Sequence, residues 1–142
     1  MFYNNASRDQ LRNFIFATWK KIKNRQLLEP LESQLADIIK HHKEYHKIFD
    51  DPDKYREKDY LPEQGETNPF LHIALHSSIQ EQIKTDRPSG IKRIYQSLLT
   101  THQDPHEVEH LMMHCLAELM WENADNPQGM SEEEYLEKLK RL

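Results

Sequence analysis

The sequence predicts an all-α fold, a small bundle of about five to six helices that forms a single helical domain over residues 1–142. Apolar residues recur at steps of three and four in successive segments, which is the spacing of one buried helix face. Glycine is scarce, with 3 residues, and this disfavours a glycine-rich β fold. A chain of 142 residues, 37% of them hydrophobic, suffices for one core, and the short connections are typical of a bundle.

Local start signals set the predicted helix boundaries, because a capping side chain or a first-turn proline marks most of them. The signals are Ser7 with Gln10, Pro30, Asn68 with Pro69, Asp104 with Pro105 and Glu107, and Ser131. The predicted helices span about 7–25, 30–50, 70–85, 89–99 and 105–123, and a short sixth helix begins at Ser131. The polar stretch 53–66 is expected to be a surface connection with a helical turn around Tyr55.

The apolar pattern also predicts the positions of individual side chains. Leu31 and His42 lie on the predicted inner face of the second helix. On the fifth helix, Cys115 is expected to be buried without a chemical role, and Trp121 is expected to pack at the end of the apolar face. His102 falls in the predicted loop before the fifth helix and is given no role.

Charge and composition argue against several classes of partner. The formal net charge of −5 disfavours nucleic acid, and the dense basic segment 20–25 is interpreted as the solvated end of a helix. No glycine-rich phosphate loop, signal peptide or long apolar run is visible, so neither a nucleotide cradle nor a membrane is predicted. A single cysteine fits a reducing compartment and predicts a cytoplasmic protein. A protein partner or a second copy of the chain stays open.

The most informative residues are histidines, of which the chain has nine. His72 and His76 are four residues apart on the third predicted helix, and His106, His110 and His114 follow the same step on the fifth. A step of four places side chains one above another on one helix face, so two facing helices can bring several imidazoles together. Neutral imidazole binds zinc and other divalent transition metals. One interpretation of the pattern is therefore a metal site between these helices, built from His72, His76, His106 and His110, with Glu107 or Glu109 as a further ligand.

Other interpretations of the same histidines stay open. The chain has one Glu-x-x-His, Glu107 to His110, whereas a di-iron carboxylate bundle needs two, so that class is disfavoured. The histidines can instead be core-edge residues that hydrogen-bond to carboxylates or backbone. They can also form a proton-sensitive core that acid destabilises. Asp86 and Arg87 precede a proline in a break between helices, which is compatible with an exposed functional loop, but a structural role is favoured, with Asp86 either capping a neighbouring turn or pairing with a cation elsewhere.

Several motifs together resemble one known family. They are Arg8 to Arg12, Trp19, Glu44 and Tyr45, Asn68 to His72, Leu75 and His76, Gln82, Asp86 to Pro88, Gly90, Glu109 and His110, and Leu119 to Trp121. Over nearly the whole chain they resemble the bacterial domain-of-unknown-function family 1841.

The resemblance implies a bacterial cytoplasmic origin and no particular activity. It favours His72, His76, Glu109 and His110 as members of a site, with Asn68, Asp86 and Arg87 as other candidates. His106 and His114 are further candidate ligands, but the family pattern has an acidic residue at position 114.

The sequence does not assign a function. It is most compatible with a small cytoplasmic binding or regulatory helical protein. The alternative is a histidine-ligated metal-binding protein, a hydrolase or a sensor, that holds a divalent transition metal such as zinc between the third and fifth predicted helices. Whether the protein is an enzyme is left undecided.

Overall fold

The computed structural model of the protein describes residues 5–61 and 67–142. In these two ranges the chain forms eight α-helices and one short 3₁₀ turn, and no strand. The helices are α1 (Asn5–Lys23), α2 (Pro30–His41), α3 (His46–Phe49), α4 (Pro52–Tyr55), α5 (Pro69–Thr85), α6 (Ile91–His102), α7 (Pro105–Glu122) and α8 (Glu132–Lys140), and the 3₁₀ turn is Lys43–Tyr45.

The all-α prediction is confirmed, but the predicted number of five to six helices is too low. The difference lies between α2 and α5, where the helix expected to run to about residue 50 ends at His41. His42 leaves helical geometry, with φ −103° and ψ 66°, and its ring Nδ1 lies 2.8 Å from Oε1 of Glu44. The chain then resumes as the one-turn helices α3 and α4, and α4 ends at Tyr55, where a turn was predicted.

Most predicted helix starts are confirmed. Pro30, Pro69 and Pro105 are the first residues of α2, α5 and α7, where a missing N–H costs nothing. Besides the end of α2, two more boundaries differ from the prediction. Ser7 lies inside α1, which already begins at Asn5, and His102 is the last residue of α6 instead of part of a loop.

The described residues form two compact units, Met1–Ala74 and Leu75–Leu142, and α5 runs from the first into the second. In the first unit α1 packs against α2, and in the second α7 packs against α6 and α8. Each unit has its own apolar cluster, and Phe70 and Ile79 of α5 belong to the first and second cluster respectively. The assignment of 1–142 as one domain stays a prediction.

Burial agrees with most of the predicted apolar faces and contradicts two positions. His42 and Cys115 are buried as expected, and burial raises the pKa of the Cys115 thiol. Leu31, in the first turn of α2, is 62% exposed, and Trp121 is 81% exposed. Trp121 follows His114 and Glu118 by seven and three residues, and both of these are exposed, so Trp121 lies on the solvent face of α7. None of the described helices combines the length and the apolar character that crossing a bilayer requires.

Candidate metal centre

The first half of α7 presents three potential ligands on one face. Asp104 caps the start of the helix, because its Oδ1 accepts a hydrogen bond from the backbone N of His106 at 3.0 Å. His106, Glu109 and His110 follow at positions i, i+3 and i+4, a spacing that places side chains next to one another on a helix surface. Helix capping and periodicity therefore arrange these donors before any contact with another helix.

His76 of α5 meets this face within the second unit. One ligand atom from each of His76, His106 and Glu109 lies within 4.8 Å of the other two. One of these contacts joins Nε2 of His76 and Oε1 of Glu109 at 3.4 Å. His76 is fully buried and Glu109 is 6% exposed, whereas His106 is half-buried. The cluster therefore has a buried side formed by two donors and a third donor nearer to solvent.

His110 extends the cluster toward solvent. Its ring centroid lies 5.1 Å from that of His76, and the two rings meet edge to face at 70°. Ligand atoms of these two histidines also lie within 4.8 Å of one another. The ring of His106 approaches His76 in the same manner, with centroids 5.7 Å apart. His76 is thus the common neighbour of the three potential ligands on α7.

The carboxylate of Glu109 stays ionised despite its burial. Burial alone would raise its pKa, but contacts from His76 and Gln80 and the nearby imidazole of His106 outweigh this and hold the pKa below its usual value. Gln80 lies one helical turn beyond His76 on α5. Burial raises the pKa of the Tyr95 phenol on α6, and the nearby charge of Glu109 raises it further. Glu109 is thus an anion held by polar neighbours, which is the state a metal ligand requires.

Two further predicted ligands, His72 and His114, each have neighbours outside this cluster. His72 belongs to the first unit, where its ring meets those of His42 and Tyr45 at centroid distances of 4.5 and 5.6 Å. His114 is exposed on α7 and influences the carboxylate of Glu118. In the second unit, the cluster described here therefore contains His76, Glu109 and His110 of the favoured set, together with His106.

The other candidate residues, Asn68, Asp86 and Arg87, make hydrogen bonds at the ends of helices. Oδ1 of Asn68 accepts hydrogen bonds from the backbone N of Phe70 and Leu71, at 3.0 and 3.1 Å, and so caps α5. Oδ1 of Asp86 accepts from the backbone N of Gly90 and Lys92, at 3.1 and 3.0 Å, and so caps α6. The side chain of Arg87 is exposed, and its backbone N donates to the carbonyl of Gln82.

Two neighbours of the cluster have no strong signal in the sequence. Gln80 stands four residues after His76, a spacing that places it on the same face, but a glutamine at that step is common on any helix. Tyr95 belongs to a different helix, and its approach to Glu109 depends on how α6 packs against α7. Only the packed structure brings these two residues to the carboxylate.

The fold and this cluster define an all-α protein whose second unit carries a histidine–carboxylate group. The chain belongs to the family described as Domain of unknown function (DUF1841), whose model matches residues 7–141. This match confirms the resemblance seen in the sequence and covers nearly the whole chain. No curated protein and no solved structure matches the chain. The comparisons therefore establish the family and assign no function.

Proposed function

We propose that the protein is a binding module for a divalent transition metal, zinc first of all, held by His76, His106 and Glu109. The observation that carries the proposal is the convergence of these three ligand atoms within 4.8 Å of one another. Two imidazoles and a carboxylate form a donor set that zinc uses widely in proteins.

The spacing of the donors supports this proposal. With zinc–ligand bonds of about 2.0–2.1 Å, two ligands of a tetrahedral zinc ion lie roughly 3.3 Å apart. His76 Nε2 and Glu109 Oε1 lie 3.4 Å apart. The ligand atom of His106 lies within 4.8 Å of the other two, which makes His106 the third member of the set.

His110 decides which kind of site this is. If His110 is a fourth ligand, the tetrahedral set is closed by protein, as in structural and regulatory zinc sites. If it is not, a solvent molecule takes the fourth position, as in catalytic sites. Ligand atoms of His110 and His76 lie within 4.8 Å of one another, but His110 is not in the group in which the ligand atoms of His76, His106 and Glu109 all converge, so the three-residue set is the one that the distances support. We further propose a cytoplasmic location, supported by one buried cysteine in a chain without a second.

The test is a zinc titration of protein purified without a histidine tag and freed of metal by a chelator. A chromogenic competitor reports the affinity for wild type and for the His76→Ala, Glu109→Gln and His110→Ala variants. His41→Ala is the matched control, because His41 is an exposed histidine of α2. Circular dichroism checks that each variant is folded. If His76→Ala fails to fold because His76 is buried, Glu109→Gln still tests the site, since glutamine keeps the shape of the side chain.

We expect one zinc ion per chain, a loss of at least about a hundredfold in affinity for His76→Ala and Glu109→Gln, and no change for His41→Ala. A tenfold or greater loss for His110→Ala indicates the closed set. Binding that is substoichiometric, or that falls equally in the control, contradicts the proposal and leaves a regulatory module without metal.

A further inference from the structure

A separate groove lies in the first unit, between the second half of α1 and the α3–α4 segment. Its volume is about 770 Å³, within the range of about 300–1,000 Å³ that small-molecule sites occupy. The side chains of Phe16, Trp19 and Phe49 contribute its aromatic part. All three are at least nine-tenths buried, so the aromatic part is fixed by core packing.

Cationic side chains stand along the rim of this groove. Lys20, Lys23 and Arg56 line it together with one carboxylate, that of Asp50. Asp50 is already engaged, because its Oδ1 accepts hydrogen bonds from Nζ of Lys23 at 2.6 Å and from Nε1 of Trp19 at 2.7 Å. The charges of Lys23 and Asp50 therefore offset each other, and the rim keeps the charges of Lys20 and Arg56.

The guanidinium of Arg56 is held in place before any ligand arrives. Its Nε donates to Oδ1 of Asn13 at 2.9 Å, and the group lies over the ring of Phe16 at 5.7 Å from the centroid. Lys20 projects from α1 into solvent. In the same basic segment, Lys21 is directed elsewhere, to the buried carboxylate of Glu32 at 2.9 Å. The basic segment is therefore not a uniform solvated helix end, since part of it lines a groove.

We propose that this groove binds a small organic phosphate monoester. A phosphate monoester carries a charge of about −1.5 to −2 at neutral pH, which matches two cations, whereas a carboxylate matches only one. Arginine also binds phosphate through paired hydrogen bonds. The aromatic part and the volume of the groove favour an organic group attached to the phosphate over the inorganic ion.

Fluorescence of Trp19 tests the proposal. The chain has two tryptophans, and Trp121→Phe leaves Trp19 as the sole reporter while changing only an exposed side chain. In this background, phenyl phosphate is titrated at constant ionic strength, beside benzoate and inorganic phosphate. The groove variants are Lys20→Gln and Arg56→Gln, and Arg25→Gln is the control, since Arg25 is an exposed cation of the same segment that is not part of the groove lining.

We expect saturable quenching by phenyl phosphate, with affinity about tenfold lower in each groove variant and unchanged in the control. We also expect benzoate and inorganic phosphate to bind more weakly than phenyl phosphate by at least about fivefold. Lys20→Gln changes an exposed side chain, so its result does not depend on whether Arg56→Gln folds. Absence of saturation, equal losses in Arg25→Gln and the groove variants, or equal affinity for inorganic phosphate would each overturn the proposal.

Discussion

Nε2 of His76 and Oε1 of Glu109 lie 3.4 Å apart on two different helices of the second unit, and both side chains are withdrawn from solvent. Burial of a carboxylate is costly unless a cation or several donors compensate for the lost water. Gln80 and the imidazoles provide that compensation in the structure, and a bound cation would provide more of it. Substitutions that alter His76, Glu109 or their neighbours should therefore change the affinity of the proposed metal site.

Gln80→Ala should weaken zinc binding although glutamine is not a proposed ligand. Gln80 contacts the carboxylate of Glu109, and groups that orient a metal ligand typically contribute about ten- to a hundredfold in affinity. The competitor titration measures this change, and Gln96→Ala, at an exposed position of α6, is the control. An unchanged affinity for Gln80→Ala would show that Gln80 does not orient Glu109 in the bound state.

Tyr135→Phe should lower the free energy of unfolding by about 1–2 kcal/mol. The Tyr135 side chain is 1% exposed, and its hydroxyl donates to Oε1 of Gln82 at 2.7 Å, which links α8 to α5 within the second unit. Removal of the hydroxyl leaves that oxygen without its donor. Urea denaturation of Tyr135→Phe, Gln82→Ala and the double variant measures the coupling, and strictly additive losses would contradict a direct interaction.

Arg12→Met should lower the free energy of unfolding by about 3 kcal/mol. Arg12 is 1% exposed, and its Nη1 donates to the carbonyls of Tyr55, Arg56 and Lys58 at 3.3, 3.0 and 2.7 Å. Methionine fills much of the same space but cannot donate a hydrogen bond to these carbonyls. In the same denaturation assay Arg8→Met, which breaks a surface ion pair with Asp59, should cost no more than about 1 kcal/mol, and similar losses for both variants would refute this account.

Asp50→Asn should reduce stability at neutral pH, and the difference from wild type should vanish in acid. Hydrogen bonds from Lys23 and then from Trp19 hold the pKa of Asp50 below its ordinary value of 3.8. A carboxyl group with a lowered folded-state pKa stabilises the fold above its unfolded pKa, and this stabilisation is lost as the pH falls through the folded value. The difference should therefore disappear as the pH falls below 3.8.

The size of this effect should stay below about 1 kcal/mol, because the pair with Lys23 is half exposed and water screens it. Urea denaturation across the pH range measures it. Asp125→Asn, at an exposed position of the second unit, is the comparison. A stability difference for Asp50→Asn that is constant with pH would show that the charge of Asp50 is not responsible.

Features set by neighbouring residues in the chain were predictable from the sequence. The starts of α5 and α7 follow from Asn68 and Asp104 with their following prolines, because caps depend on a few consecutive residues. The grouping of His106, Glu109 and His110 on one face follows from helical periodicity alone. The family resemblance was likewise visible in short motifs and is confirmed over residues 7–141.

Features set by packing were not predictable in the same way. His42 has the correct spacing for a continuing helix, but its ring pairs with Glu44 and the helix ends there. Trp121 was expected at the end of the apolar face of α7, yet it is 81% exposed and lies on the same face as the exposed His114 and Glu118. Periodicity shows which face a residue occupies, whereas its neighbours depend on contacts with other elements.

Arg12 and Asn13 are consecutive residues of α1, and together they hold Arg56 at two points. Arg12 donates to the carbonyl of Arg56, and Asn13 accepts from its side-chain Nε. One helical turn thus restrains both the main chain and the side chain of a residue far along the sequence. A flexible arginine usually loses considerable rotational entropy when it binds a ligand, and here much of that entropy is already lost on folding. Ligand binding by Arg56 should therefore cost less side-chain entropy than ligand binding by the unrestrained Lys20.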